Sequence, residues 1–127
     1  MRRVVGGAFQ GKLGFAKKEL GIKTGWIDGD TCAFSDIYSC NGIVRFQQYI
    51  KRMLQSNIDT SILAEKLIER NPDICIVTNE IGYGLVPTDP FDRMYREQYG
   101  RVCQTLAAAS SEVYVVVCGI GKAIKHD

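Results

Sequence analysis

Val4-Val5-Gly6-Gly7-Ala8-Phe9-Gln10-Gly11-Lys12 is the stretch whose reading decides the fold. A short apolar run, the signature of a strand, enters a loop of the form Gly-x-x-x-x-Gly-Lys. The amphipathic spacing of Phe15, Ala16 and Leu20 then predicts a helix. This is the order a phosphate-binding loop requires. Glycines let successive backbone N–H groups turn toward an anion, and a lysine at the loop's end reaches the terminal phosphates. Lys12 is the candidate phosphate lysine, with Gly6, Gly7, Ala8, Phe9, Gln10, Gly11 and Leu13 as the neighbouring candidate contacts. The alternative for Lys12 is an ordinary exposed cation in a first helical turn. Leu13 occupies the place where the pattern carries a Ser or Thr hydroxyl for Mg²⁺.

Working outward, Gly25-Trp26-Ile27-Asp28-Gly29-Asp30 reads as a second short strand, and Asp28 and Asp30 are candidate ligand contacts or simply turn residues. Ser35 is placed to cap a short helix through Tyr38. Ile43, Phe46, Ile50, Met53 and Leu54 recur at helical spacing and predict a helix over 41–56. A second helix is expected over 60–70, capped by Asp59 or Thr60 and stopped at Asn71-Pro72.

Ile74-Cys75-Ile76-Val77 is a continuous apolar run, as in a strand covered on both faces. It ends at Asn79-Glu80. Asp89 and Pro90 mark the start of a helix that Phe91, Tyr95, Val102 and Leu106 face inward to about 109. Tyr95 and Tyr99 are read as packing residues. Val113–Cys118 is read as another buried strand. Strand–helix alternation of this kind implies an α/β fold, a mainly parallel sheet with helices on both faces. Ligands of such sheets sit at the carboxyl ends of strands, where the loops after Val5, Asp28 and Asn79 are expected to meet. Glu80 is the candidate carboxylate there, to hold Mg²⁺ or accept a substrate proton, or else to cap the following loop.

Composition narrows the partners. The 127 residues suit a single nucleotide-binding domain over 1–127, and a net charge of +2 with scattered basic residues argues against a nucleic-acid surface. Five cysteines without C-x-x-C spacing, and no apolar run of membrane-spanning length, point to a cytoplasmic chain with reduced thiols and no membrane partner. Cys75 and Cys118 are expected to be small buried hydrophobes. His126, the single histidine, lies beside the C-terminus, where disorder is common.

Asn79-Glu80-Ile81-Gly82-Tyr83-Gly84-Leu85-Val86-Pro87, together with Gly6-Gly7-Ala8-x-x-Gly11-Lys12, Arg93-x-x-Arg96-x-x-x-Gly100-Arg101 and Val116-Val117-Cys118-Gly119-Ile120-Gly121, resembles the adenosylcobinamide kinase/adenosylcobinamide-phosphate guanylyltransferase family of cobalamin assembly. The match is good over 3–12 and 72–121 and weak between. The resemblance implies a P-loop, RecA-like fold, ATP or GTP with Mg²⁺, a corrinoid substrate, and a homo-oligomer, often a trimer. It implies phosphorylation of adenosylcobinamide, with Lys12 and the loop amides steadying the phosphoryl group and Glu80 matching the family glutamate. Guanylyl transfer in that family passes through a histidine, and residues 31–42, the corresponding stretch, contain none. A kinase without the second step is therefore the first expectation. The alternative is a non-catalytic nucleotide- or corrinoid-binding protein with a regulatory or assembly role, and a purely structural module comes third.

Overall fold

The computed structural model describes residues 1–7, 11–79 and 89–126. Strand β1 (Arg2–Gly6) leads to helix α1 (Lys12–Lys18). Then come β2 (Trp26–Asp28), a 3₁₀ turn (Phe34–Tyr38), β3 (Gly42–Val44), α2 (Phe46–Gln55), α3 (Leu63–Arg70), β4 (Cys75–Asn79), α4 (Pro90–Ala109), β5 (Glu112–Val117) and β6 (Ile120–His126). The strands form one sheet in the order β2-β3-β4-β1-β5-β6. All neighbours pair parallel except β5 and β6, which are antiparallel.

Side chains alternate across a strand, so a strand covered on both faces feeds two cores. In β4, Cys75 and Val77 join Val4 and Val116 under Phe15 and Ala16 of α1. Ile74 and Ile76 face the other way, into a larger core with Phe46, Tyr49 and Ile50 of α2, Leu67 of α3 and Leu106 of α4. The expected mainly parallel sheet with helices on both faces is what the chain forms. Phe46 and Ile50 are completely buried, so each contributes about 2–3 kcal/mol of apolar burial.

Helix α4 starts as its sequence announces: Asp89 accepts a hydrogen bond from the Phe91 N–H at 2.9 Å, with Pro90 in the first turn. Elsewhere the local expectation fails. The helix expected over 41–56 divides. Gly42–Val44 is a strand between β2 and β4, and Arg45 turns the backbone left-handed (φ 53°, ψ 45°) before α2 begins. Ile43 and Phe46 are three residues apart, which satisfies the helical period by accident. The helix expected over 60–70 starts only at Leu63, because the Asp59 carboxylate accepts from the Ser61 N–H (2.8 Å) and holds a turn first. The short helix near 35 is a 3₁₀ turn initiated at Ala33, not Ser35, with the Asp36 carboxylate accepting from the Ala33 N–H.

The C-terminal expectation also changes. Cys118 is exposed rather than buried, because Cys118 (φ 51°) and Gly119 (φ 78°) form the two-residue turn of a hairpin. The tail is not loose at residue 126. His126 pairs with Glu112 as the last residue of β6. The apolar run 113–118 was continuous, and cysteine is not a residue that advertises a turn.

Candidate functional site

The carboxyl ends of β3, β4 and β1 lie side by side in the sheet, and a cavity of about 290 Å³ opens there. Gly11, Lys12, Leu13 and Gly14 line it from the β1–α1 connection, Val44 and Arg45 from the β3–α2 connection, and Val77 and Asn79 from β4. Gly11, at φ 80°, takes the left-handed conformation that a side chain resists, and this starts α1 without a side-chain cap.

Lys12 is not the exposed first-turn cation of the alternative reading. Its residue is only 8% exposed, and its Nζ donates to the Gly7 carbonyl at 2.6 Å. Burial favours the neutral amine and lowers the Lys12 pKa. Gly6 ends β1 against Asn79 of β4, and Gly7 follows it directly. Leu13 presents carbon to the cavity where a metal-binding hydroxyl was absent from the sequence. Ala8, Phe9, Gln10 and Glu80 lie outside the described residues, as does the segment 81–87.

Asp28 ends β2, and the sheet order puts β3 and β4 between it and β1. It does not line the cavity. Its Oδ1 accepts from the Asp30 N–H (2.9 Å) and from Arg45 Nε (3.0 Å), while Oδ2 pairs with Arg45 Nη2. Partial burial pushes the Asp28 carboxyl up. The Asp30 bond, the Arg45 fork and the Arg52 charge together outweigh that and hold it below the usual carboxylate value. The structure thus brings Lys12, Leu13 and Asn79 together and connects Asp28 to them through Arg45.

Among the described residues, no group of three His, Cys, Asp or Glu side chains is placed to hold a metal. With Asp28 engaged by Arg45 and Leu13 carrying no oxygen, these residues do not fit a Mg²⁺ site of their own.

Sequence reasoning missed Arg45 because it hid β3 inside a helix. The β-branched pair Ile43-Val44 after Asn41-Gly42 was the available signal. It also missed a polar network beneath the site. Gln47 Oε1 accepts from Thr78 Oγ1 (3.1 Å) and from the Asn79 N–H (3.2 Å). The Tyr99 hydroxyl shares its proton between Thr78 Oγ1 and the Asn79 carbonyl (3.2 Å), and the Tyr95 hydroxyl donates to the Gln47 carbonyl (3.0 Å). The two tyrosines pack, as expected, but their hydroxyls also tie α2 and α4 to the last residues of β4. Burial pushes the Tyr95 phenol up to about 12 and that of Tyr99 further still.

A profile of the family described as cobinamide kinase / cobinamide phosphate guanyltransferase matches residues 38–124. The bifunctional adenosylcobalamin biosynthesis protein CobU of Escherichia coli (strain K12) is 42% identical over 79 residues, which are 61% of this chain and 42% of that protein. Its namesake in Salmonella typhimurium (strain LT2) is 52% identical over 52 residues, 41% of this chain and 29% of that protein. The matched part of the chain therefore spans less than half the length of either relative.

Proposed function

The chain belongs to the cobinamide kinase / cobinamide phosphate guanyltransferase family, and on that premise we propose that it acts in cobalamin biosynthesis as a nucleoside-triphosphate-dependent kinase of adenosylcobinamide. The observation that carries the proposal is Lys12: a buried lysine at the wall of a cavity at the carboxyl ends of parallel strands, at the end of a Gly-x-x-x-x-Gly loop. ATP or GTP would lie with its phosphates on Gly6–Lys12. Lys12 Nζ would exchange the Gly7 carbonyl for a phosphate oxygen, and the anion would restore the proton affinity that burial takes away.

The substrate alcohol oxygen then bonds to the terminal phosphorus as the bond to the β-phosphate oxygen breaks. The nucleoside diphosphate leaves, and the alcohol proton passes to a base, for which Glu80 is the proposed residue. Such transfer rests mainly on positioning and charge stabilisation, which a small site can supply. The alternative role for Glu80, in place of the base, is to hold Mg²⁺ through water; the ion would supply charge neutralisation. A guanylyl intermediate has no proposed residue, since His126 is the only histidine and it sits in β6 at the far side of β1 and β5. The working form is proposed to be a cytoplasmic homo-oligomer.

The test is binding of a fluorescent triphosphate to wild type and Lys12→Ala, followed by incubation of wild type with adenosylcobinamide and γ-labelled triphosphate. Loss of a charge-assisted phosphate contact of about 1.5–3 kcal/mol weakens binding roughly 10- to 150-fold. Equal affinity in the two proteins would overturn the phosphate-loop assignment. Tight binding without labelled corrinoid would leave the non-catalytic binding role instead of the kinase.

A further inference from the structure

Arg45 is the second cation of the cavity. In the strand order β3-β4-β1, the connection bearing Arg45 and the one bearing Lys12 flank the end of β4 from its two sides. Among the described residues that line the cavity there is no carboxylate, so its two charged groups are both positive. An arginine side chain that is 56% exposed is ordinarily a loose one, but this one is anchored at both ends.

At the root, its backbone is left-handed (φ 53°), a conformation that a long side chain enters only where its surroundings impose it. The neighbouring turn does so. The Gly29 N–H donates to the Val44 carbonyl at 2.8 Å, Arg52 Nη1 donates to the Gly29 carbonyl at 2.8 Å, and a Cβ on Gly29 would stand 2.3 Å from the Arg45 carbonyl oxygen. At the tip, Asp28 takes Nε and one Nη2 proton. That pair uses two of the five N–H donors of a guanidinium, whose rigid fork suits phosphate.

We infer that Arg45 is a phosphate-contacting residue of this site, binding the terminal phosphate of the triphosphate, with Asp28 as the residue that positions it. The inference rests on the nucleotide reading above and deepens it. Lys12 reaches the outer phosphates from the β1 side, and Arg45 supplies a second positive charge to the terminal one from the far side of β4. There it compensates for the oxygen ligand that Leu13 cannot offer to a metal.

The experiment titrates a fluorescent nucleoside triphosphate and its diphosphate into wild type, Lys12→Ala, Arg45→Asn, Arg45→Lys and Asp28→Asn, with and without a magnesium chelator. Asparagine tolerates the left-handed backbone, so Arg45→Asn removes the cation while keeping the turn, and the far-ultraviolet circular dichroism melt checks that it does. Arg45→Asn is expected to weaken triphosphate binding at least 10-fold and to change diphosphate binding less than 2-fold. Arg45→Lys should recover part of the loss, because it restores charge without the fork. Asp28→Asn should weaken the triphosphate a few-fold and leave the diphosphate as it was. If wild type and Arg45→Asn bind triphosphate equally while Lys12→Ala binds it at least 10-fold more weakly, or if Arg45→Asn loses both nucleotides alike, the inference is overturned and the nucleotide reading stands. If wild type binds neither nucleotide, both fail.

Discussion

Removing one hydroxyl from the network under the site gives a quantity that the structure fixes in sign and size. Thr78 is 2% exposed, and its Oγ1 serves both Gln47 Oε1 (3.1 Å) and the Tyr99 hydroxyl. In Thr78→Val, Gln47 Oε1 keeps the Asn79 N–H and the Tyr99 hydroxyl keeps the Asn79 carbonyl, each at 3.2 Å. No partner is fully orphaned, so the cost should sit near an ordinary net hydrogen bond or slightly above, about 1–2 kcal/mol. Tyr99→Phe removes the other end of the same bond at a similar cost. The double variant loses the shared bond only once and should cost about 0.5–1.5 kcal/mol less than the sum. Urea unfolding followed by Trp26, the single tryptophan, reads all four proteins. With a slope of about 1–3 kcal/mol per molar urea, each single change moves the midpoint by roughly 0.3–2 M. The measurement belongs near neutral pH, since burial raises the Tyr99 pKa and the phenol then carries its proton in both folded and unfolded chains. Additivity within about 0.3 kcal/mol would refute the reasoning, because independent sites add and coupled ones do not.

Three further outcomes are expected. Gly29→Ala forces a methyl against the Arg45 carbonyl, a backbone atom that cannot swing away, and should destabilise by about 1–3 kcal/mol in the same urea assay. Unchanged stability would mean that the turn is not as tight as described. Burial lifts the Cys75 thiol to about 11 from an ordinary 9.0, so the folded chain holds this proton more tightly than the unfolded one. Its contribution is whole below pH 9 and is lost as pH rises toward 11, on the order of 2–3 kcal/mol. A Cys75→Ala variant should decline less steeply over this range, with the rest carried by groups such as Cys40, which burial also lifts to about 11. An equally steep decline would exclude Cys75 as a contributor. In the native protein iodoacetamide should modify Cys118, exposed in the hairpin turn, well before Cys75, which is buried in β4 between β3 and β1. Equal rates by peptide mapping would contradict the strand placement.

Much of the fold was legible where a segment carries its own signal. Val4–Lys12 encodes strand, loop and helix in nine consecutive residues and the few that follow. The run 74–77 is apolar at every position because both faces of β4 are covered, and the loop lysine belongs to the same local pattern. Asp89 and Pro90 specify a helix start by their own geometry, and the structure returns it. Each of these rests on interactions within a turn or two of chain, which a linear reading captures.

The tertiary structure alone decided the rest. A three-residue strand such as Gly42–Val44 is shorter than any period that could reveal it, and it is a strand because β2 and β4 supply its partners. The Asp28–Arg45 pair joins residues 17 apart, and the Thr78–Gln47–Tyr99 network spans three elements. These contacts exist only once the sheet order is set. The same holds for the turn at Cys118-Gly119, where pairing of β6 on β5 imposes left-handed backbone on a residue that does not ask for it. Sequence determined which segments are strands and helices where burial is written in their period, and where the Gly-x-x-x-x-Gly-Lys pattern stands. Packing determined which loops meet at the end of β4, because long-range pairing energies have no counterpart in the local pattern.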